Sequence, residues 1–322
     1  MVDRTLIKAA QLFGFHPNEA VPLSGGFRNS VYEYGTEDHR FILRITDAAR
    51  RNKKEIDSEL KWIECLHNNG LSVSRPVKSL NDRFIEQTEE SFLVSFMKAD
   101  GAPVNVSSPE QWNPDFFREW GRYTGKMHAI SRNGETFIKN LNRQAWNRNH
   151  PDILNIERNI PSREIQQKYR SLLTNIWDFK LDNSTYGFIH NDFHQGNFFV
   201  HDGKITAFDF DDCAFSWFAN DIAVSFYHAF WQGMSVRPDH VEFGTEFIEH
   251  FLEGYSKEMQ LTKDIIKQIP VFLKMRELFL YALFLQNWDL EHLEDWQAYT
   301  LTNLKESIEK ELPYSNVDFA KL

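Results

Sequence analysis

Residues 190–197 read HNDFHQGN, and the chain returns at 209–212 with DFDD. Asp192, Asn197, Asp209 and Asp211 offer carboxylate and amide oxygens with no thiolate, a donor set that suits a hard divalent cation such as Mg2+. Acids gathered at one point repel one another, and a cation relieves that cost. The intervening text is NFFVHDGKITAFDF, in which Asp202-Gly203 is a strong two-residue hairpin turn. With that turn, His201 faces Lys204 and continued pairing sets Asn197 opposite Phe208. The amide and the carboxylate of Asp209 are then expected at the same end of the hairpin. Asn197 follows Asp192 by five positions (197 − 192) and Asp209 follows it by seventeen (209 − 192). That order is the layout of a kinase-type phosphoryl-transfer site, in which one Asp orients the attacking hydroxyl while the Asn and the second Asp hold metal. Two readings compete with it. Asp211 and Asp212 taken alone read as a solvated turn, and His190-x-Asp192-x-His194 would supply ligands to a zinc or iron hydrolase. The later cluster holds no histidine, which favours the first reading. His190 then reads as a structural imidazole, and His194 and His201 as surface residues.

Strand signals crowd the first hundred residues. SVYEYG and RFILRIT flank TEDH as a hairpin, and DRFIEQ with SFLVSFM reads as a second one turning at Glu89–Glu90. A helix is expected between them over roughly residues 53–68, where Ile56, Leu60, Ile63 and Leu66 keep helical spacing. After Met97 the polar stretch KADGAP reads as a connector. Beyond it, Asn113–Pro114 is a helix start, and apolar stripes recur near 163–178, 219–231, 243–256 and 271–287. The expectation is an α+β chain with a strand-rich nucleotide-binding lobe over 1–97 and a larger helical lobe over 98–322 for catalysis and acceptor binding.

The front lobe carries its own chemistry. Gly25 and Gly26, in LSGGFRNSVYEYG, sit where backbone N–H groups can approach phosphate oxygens; alone, paired glycines more often just make a turn. Arg44 points to the opposite face of its strand from Phe41, Leu43 and Ile45. Glu59 lies on or beside the apolar face of the next helix, where a lone carboxylate is costly. An Arg44–Glu59 pair resolves both oddities and puts a cation near the glycine loop. The backbone from Phe96 to Lys98 is expected to receive an adenine edge.

HNDFHQGNFFV, ITAFDFDD and LSGGFRNSVYEYG together resemble the aminoglycoside phosphotransferase and choline kinase family, relatives of the protein kinases. The resemblance runs from about residue 20 to about 230, with GRYTGKMHAIS fitting between. It implies a bilobal protein-kinase-like fold, ATP and Mg2+ as cofactors, Asp192 as catalytic base, Asn197 and Asp209 as metal ligands, and Asp221 in NDIAVSF as a brace of the catalytic loop. Three positions depart from the family pattern. Arg44 stands where many relatives carry Lys, Asn191 precedes Asp192 where Gly is common, and Asp211 takes the place of the Gly in Asp-Phe-Gly. Asp211 is either a second metal ligand or only a neighbour.

About ten residues separate DFDD from NDIAVSF, too few for the long activation segment of protein kinases. A small alcohol is therefore the expected acceptor: an amino alcohol, an aminoglycoside, or a choline-like or homoserine-like molecule. An atypical protein kinase and an inactive nucleotide-binding regulator are the alternatives. Acceptor residues are sought at Trp217, Tyr227, Arg276, Trp288 and Asp289, against a plain reading of core aromatics and a solvated acidic helix face. The net charge of −10 disfavours broad binding to nucleic acid or anionic membrane. Two cysteines without ligand spacing, no signal-peptide pattern and no long apolar run make a soluble cytoplasmic protein the expectation.

Overall fold

The computed structural model describes residues 4–23, 28–147 and 149–322. They form two compact units. The first takes in the chain to Ala102 together with 139–143 and 198–211; the second holds 103–138, 144–197 and the rest from Asp212. The chain thus leaves the second unit after Asn197, makes a hairpin that belongs with the first, and returns at Asp212.

The first unit is an antiparallel sheet of β1 (Val21–Pro22), β2 (Ser30–Gly35), β3 (Arg40–Asp47), β4 (Pro76–Val77), β5 (Glu86–Gln87) and β6 (Ser91–Met97). Its order is β1-β2-β3-β6-β4, with β5 also on β6. Leu43 and Ile45 on β3 bury their side chains with Leu93, Tyr34 and the apolar stripe of α1 (Arg4–Phe13), a helix the sequence reading did not list. Arg44 faces the other way, toward α2 (Lys53–Asn68). Asn52 starts α2 by accepting from the N–H groups of Lys54 and Glu55, while Glu55 reaches back to the Asn52 N–H, a reciprocal cap. The strand DRFIEQ shrinks to Glu86–Gln87, which keeps the expected pairing with β6.

The predicted hairpin is present as β8 (Phe198–His201) and β9 (Lys204–Ala207), after β7 (Tyr186–Ile189). His201 faces Lys204 as expected, and Asp202 and Gly203 both take positive φ. The ladder stops at Phe198–Ala207, so Asn197 is not itself paired with Phe208. Ala207 instead exchanges backbone bonds with Ser72 and Ser74, and Val200 with Ala102, which ties the hairpin to the first unit.

In the second unit, α3 (Pro114–Asn133) begins at the Asn113 cap and lies against the helix Phe243–Ser256. Glycines allow the contact: a Cβ on Gly121 would lie 1.8 Å from the carbonyl oxygen of Phe251, and one on Gly254 1.9 Å from that of Arg118. Helices Arg163–Trp177, Phe218–Val236 and Lys263–Asn287 match the apolar stripes, but the last starts eight residues before the predicted 271. Pro270 lies inside it, and packing carries the helix through a residue that reads as a boundary. No described helix is long and apolar enough to cross a membrane. Gly121→Ala is expected to cost about 1–3 kcal/mol by forcing the helix pair apart. A urea midpoint lowered at unchanged slope is the measurement, and an unchanged midpoint contradicts the close packing.

Candidate active site

The segment 190–197 is held by its backbone. Asp221, with no solvent exposure, accepts from the N–H of His190 at 3.0 Å and of Asn191 at 2.6 Å, and lies 3.2 Å from Nε2 of His128. The other nitrogen of His128 is 3.0 Å from the Tyr255 hydroxyl. Asn191 sits at φ 70°, and its side-chain oxygen accepts from Asn220 at 2.7 Å. Left-handed backbone is why glycine is common here, and Asn is among the few other residues that adopt it readily. Phe193 is fully buried against Tyr123, and its carbonyl accepts from the Ser225 hydroxyl at 2.7 Å. His190 is buried, in keeping with a structural imidazole.

Asp192 emerges from this frame with 26% of its side chain exposed. One carboxylate oxygen accepts from Arg276 at 2.6 Å, and the other from the Asn197 amide nitrogen at 3.1 Å. Asn197 also donates to the Asp192 carbonyl at 2.9 Å. Arg276 in turn donates to Nε2 of His228 at 2.7 Å, and the His228 ring stacks on His194 with centroids 4.2 Å apart. Burial pushes the Asp192 carboxyl up, but Arg276 and the neighbouring His194 hold it well below the ordinary carboxylate range. Burial, with His194 and Arg276 beside it, pushes His228 well below the usual imidazole range, so it is a neutral acceptor for Arg276. His194 is therefore no plain surface residue.

Among the described residues, Asp192, His194 and His228 are a group with the spacing to hold a metal ion. The hydrolase reading required His190, which is not in it, and the Arg276 guanidinium already bonds two of the three members. A cation set against that guanidinium would be repelled.

In the first unit, Arg44 and Glu59 form a buried fork-to-fork pair with both contacts at 2.7 Å. Burial works against the Arg44 charge, and Glu59, Asp211 and Asp209 more than compensate, raising it further above its ordinary range. Arg44 also lies over the Phe96 ring. Asp209 is exposed and stands at φ 58°, a left-handed backbone that Asp, like Asn, adopts more readily than most residues. Asp211 differs: it is buried and accepts from Arg50 and from Asn29 at 3.1 Å, with Arg51 at 3.6 Å. The solvated-turn reading of Asp211 is therefore corrected.

Other expected positions fall out differently. Gly25 and Gly26 lie outside the described residues. The Met97 N–H donates to the Arg75 carbonyl at 2.8 Å and the Lys98 N–H to that of Arg40 at 3.0 Å, so these two N–H groups are already engaged. The Lys98 ammonium pairs with Glu33. Trp217 is 2% exposed among Trp146, Trp177 and Tyr186, and Tyr227 is buried against Tyr314, which makes both core residues rather than pocket walls. Trp288 stacks on Phe284. Asp289 is exposed in the turn after helix Lys263–Asn287, not on a helix face. Sequence reading missed His228, Arg50, Arg51 and Arg143. The Arg-Arg doublet before the Asn52 cap was the one visible signal among them.

The Phosphotransferase enzyme family pattern matches residues 19–259, and the chain belongs to that family. It is a kinase, and the aminoglycoside phosphotransferase resemblance of its motifs stands. Among individual proteins it is similar to the amicoumacin kinase of Bacillus subtilis (strain 168), with 33% identity over 99% of this chain and 96% of that one. A solved amicoumacin kinase, hAmiN in complex with AMP-PNP, Ca2+ and Ami, aligns with a TM-score of 0.89 and 34% identity over 98% of this chain and 96% of that one. A microcompartment-associated aminopropanol kinase shares the fold, at a TM-score of 0.74 and 22% identity over 95% of each chain.

Arg276→Gln removes the charged donor to one Asp192 carboxylate oxygen and leaves Asn197 alone to orient the group. The expected result is a fall in kcat of about 10- to 100-fold, the scale on which misplaced catalytic groups act, with the KM for ATP within twofold. Steady-state kinetics check it; an unchanged kcat removes Arg276 from the account.

Proposed function

We propose that this kinase transfers the γ-phosphoryl group of ATP to a hydroxyl of a small amine-bearing molecule, with amicoumacin the first acceptor to try. The observation that carries the reading is the Asp192 carboxylate, fixed by Arg276 and Asn197 on a loop bonded to Asp221. Full-length similarity to amicoumacin kinases supports the choice of acceptor. In this reading the first unit binds the nucleotide and the second supplies the base and the acceptor site.

Asp192 accepts the hydrogen bond of the attacking hydroxyl and takes its proton as the new O–P bond completes. Its depressed pKa makes it a weak base, which suits a loose transition state where orientation matters more than early deprotonation. Arg44, held by Glu59, steadies the non-reacting phosphates as a rigid fork where Lys would be a point charge. Asn197 and Asp209 are the assigned Mg2+ ligands. When bound, the ion neutralises charge on the phosphate oxygens. A cytoplasmic location, where ATP is at hand, fits this activity.

The protein-kinase alternative loses ground because strand Ala214–Trp217 follows DFDD directly and helix Phe218–Val236 follows the strand. That leaves no chain for an activation segment. The test is a screen of amicoumacin, amino alcohols and aminoglycosides with Mg2+ and ATP, read by ADP release and by mass spectrometry of the acceptor. One acceptor class should gain a single phosphoryl group at about 1–100 turnovers per second, with EDTA abolishing the reaction. Phosphate appearing on proteins and on none of these alcohols contradicts the reading.

A further inference from the structure

Asp209 has a left-handed backbone, with φ 58°, and stands at the head of the short turn Phe210–Asp212. Left-handed residues other than glycine persist where their surroundings over-determine them. Around this turn the surroundings are arginines. The Asp211 carboxylate accepts from Arg50 and Asn29, and Arg50 also donates to the Asn29 amide oxygen at 3.0 Å. The Asp211 backbone carbonyl accepts from Arg51 at 2.9 Å and from Arg143. Three separate stretches of chain therefore grip one residue.

Arg143 is itself anchored. It ends the segment 139–143, which belongs to the first unit while its neighbours on both sides belong to the second. The N–H of the preceding Asn142 donates to the Ser58 hydroxyl at 2.7 Å, which fastens the segment to α2. Arg50 and Arg51 immediately precede the Asn52 cap of the same helix. Asp211 is thus tied, through Arg50, Arg51 and Arg143, to the N-terminal half of one helix, the helix that also carries Glu59 for Arg44.

A metal ion at the Asp211 carboxylate would be pressed against two guanidinium groups, and like charges disfavour it. We infer that Asp211 is no metal ligand but the anchor of an arginine clamp, in which Arg50, Arg51 and Arg143 are positioning residues that fix the turn presenting Asp209 to the nucleotide's metal ion. The inference rests on Asp209 as a ligand, and it resolves the acid that replaces Gly in Asp-Phe-Gly.

Mn2+ titrated into protein saturated with AMP-PNP, followed by electron paramagnetic resonance, separates the possibilities. Asp211→Asn and Arg51→Gln should each weaken Mn2+ binding about 10- to 100-fold, the cost of losing a group that orients a ligand. The number of Mn2+ ions per chain should stay at the wild-type value, and Arg51→Lys should recover part of the loss. Asp211→Asn losing one Mn2+ per chain while Arg51→Gln binds as wild type would make Asp211 a ligand and overturn the inference. Where thermal melts show that Asp211→Asn does not fold, Arg51→Gln and Arg143→Lys carry the test, and unchanged Mn2+ affinity in both overturns it. Asp209→Asn is the control on the underlying assignment. It should weaken Mn2+ binding more than either clamp variant, and wild-type affinity there withdraws Asp209 as a ligand, whatever the clamp variants do.

Discussion

A carboxylate with no access to solvent, Asp221, accepts the N–H groups of two successive residues, His190 and Asn191. A buried charge is costly unless it is fully bonded, and here two backbone donors and the His128 ring surround it. The arrangement works in both directions. The donors make the charge tolerable, and the charge holds the backbone of His190 and Asn191 in place. Because Asp192 is the next residue, the direction of its carboxylate follows from this bond. The helix Phe218–Val236 that carries Asp221 also supplies Ser225 to the Phe193 carbonyl and His228 to Arg276, so one helix fixes the loop at three levels.

The acids of interest divide by partner. Glu59 and Asp211 are neutralised by arginine and are buried; Asp192 is paired with arginine yet a quarter exposed; Asp209 is exposed. Buried ion pairs add little net stability against a well-packed apolar substitute, and their clearest use is to specify one geometry. That division tracks the proposed chemistry. The carboxylates that must meet an external group retain access to it, and those that only hold shape do not.

Much of this was legible in the sequence. Hairpin turn chemistry at Asp202–Gly203 fixed the register of a short ladder, and the alternation of strand β3 against the spacing of α2 predicted the Arg44–Glu59 pair, because a charge on an apolar face demands a partner. Other features had no local signature. Arg276 reaches Asp192 across 84 positions and Arg143 reaches Asp211 across 68, and no periodicity or turn rule relates residues so far apart. Aromatic residues misled for a related reason: Trp217 has the same type whether it walls a pocket or fills a core, and only burial separates the two. Pro270 lies inside helix Lys263–Asn287, where a proline ordinarily marks a boundary.

The central claim is that Asp192 acts on the acceptor hydroxyl rather than on the nucleotide. Single-turnover transfer from pre-bound ATP to the acceptor, measured beside ATP affinity in Asp192→Asn, tests it most directly. The account predicts a transfer rate lower by about 100- to 10,000-fold, the range for loss of a general base, with ATP affinity within a few-fold of wild type. Transfer at the wild-type rate, or a loss confined to ATP binding, would contradict it.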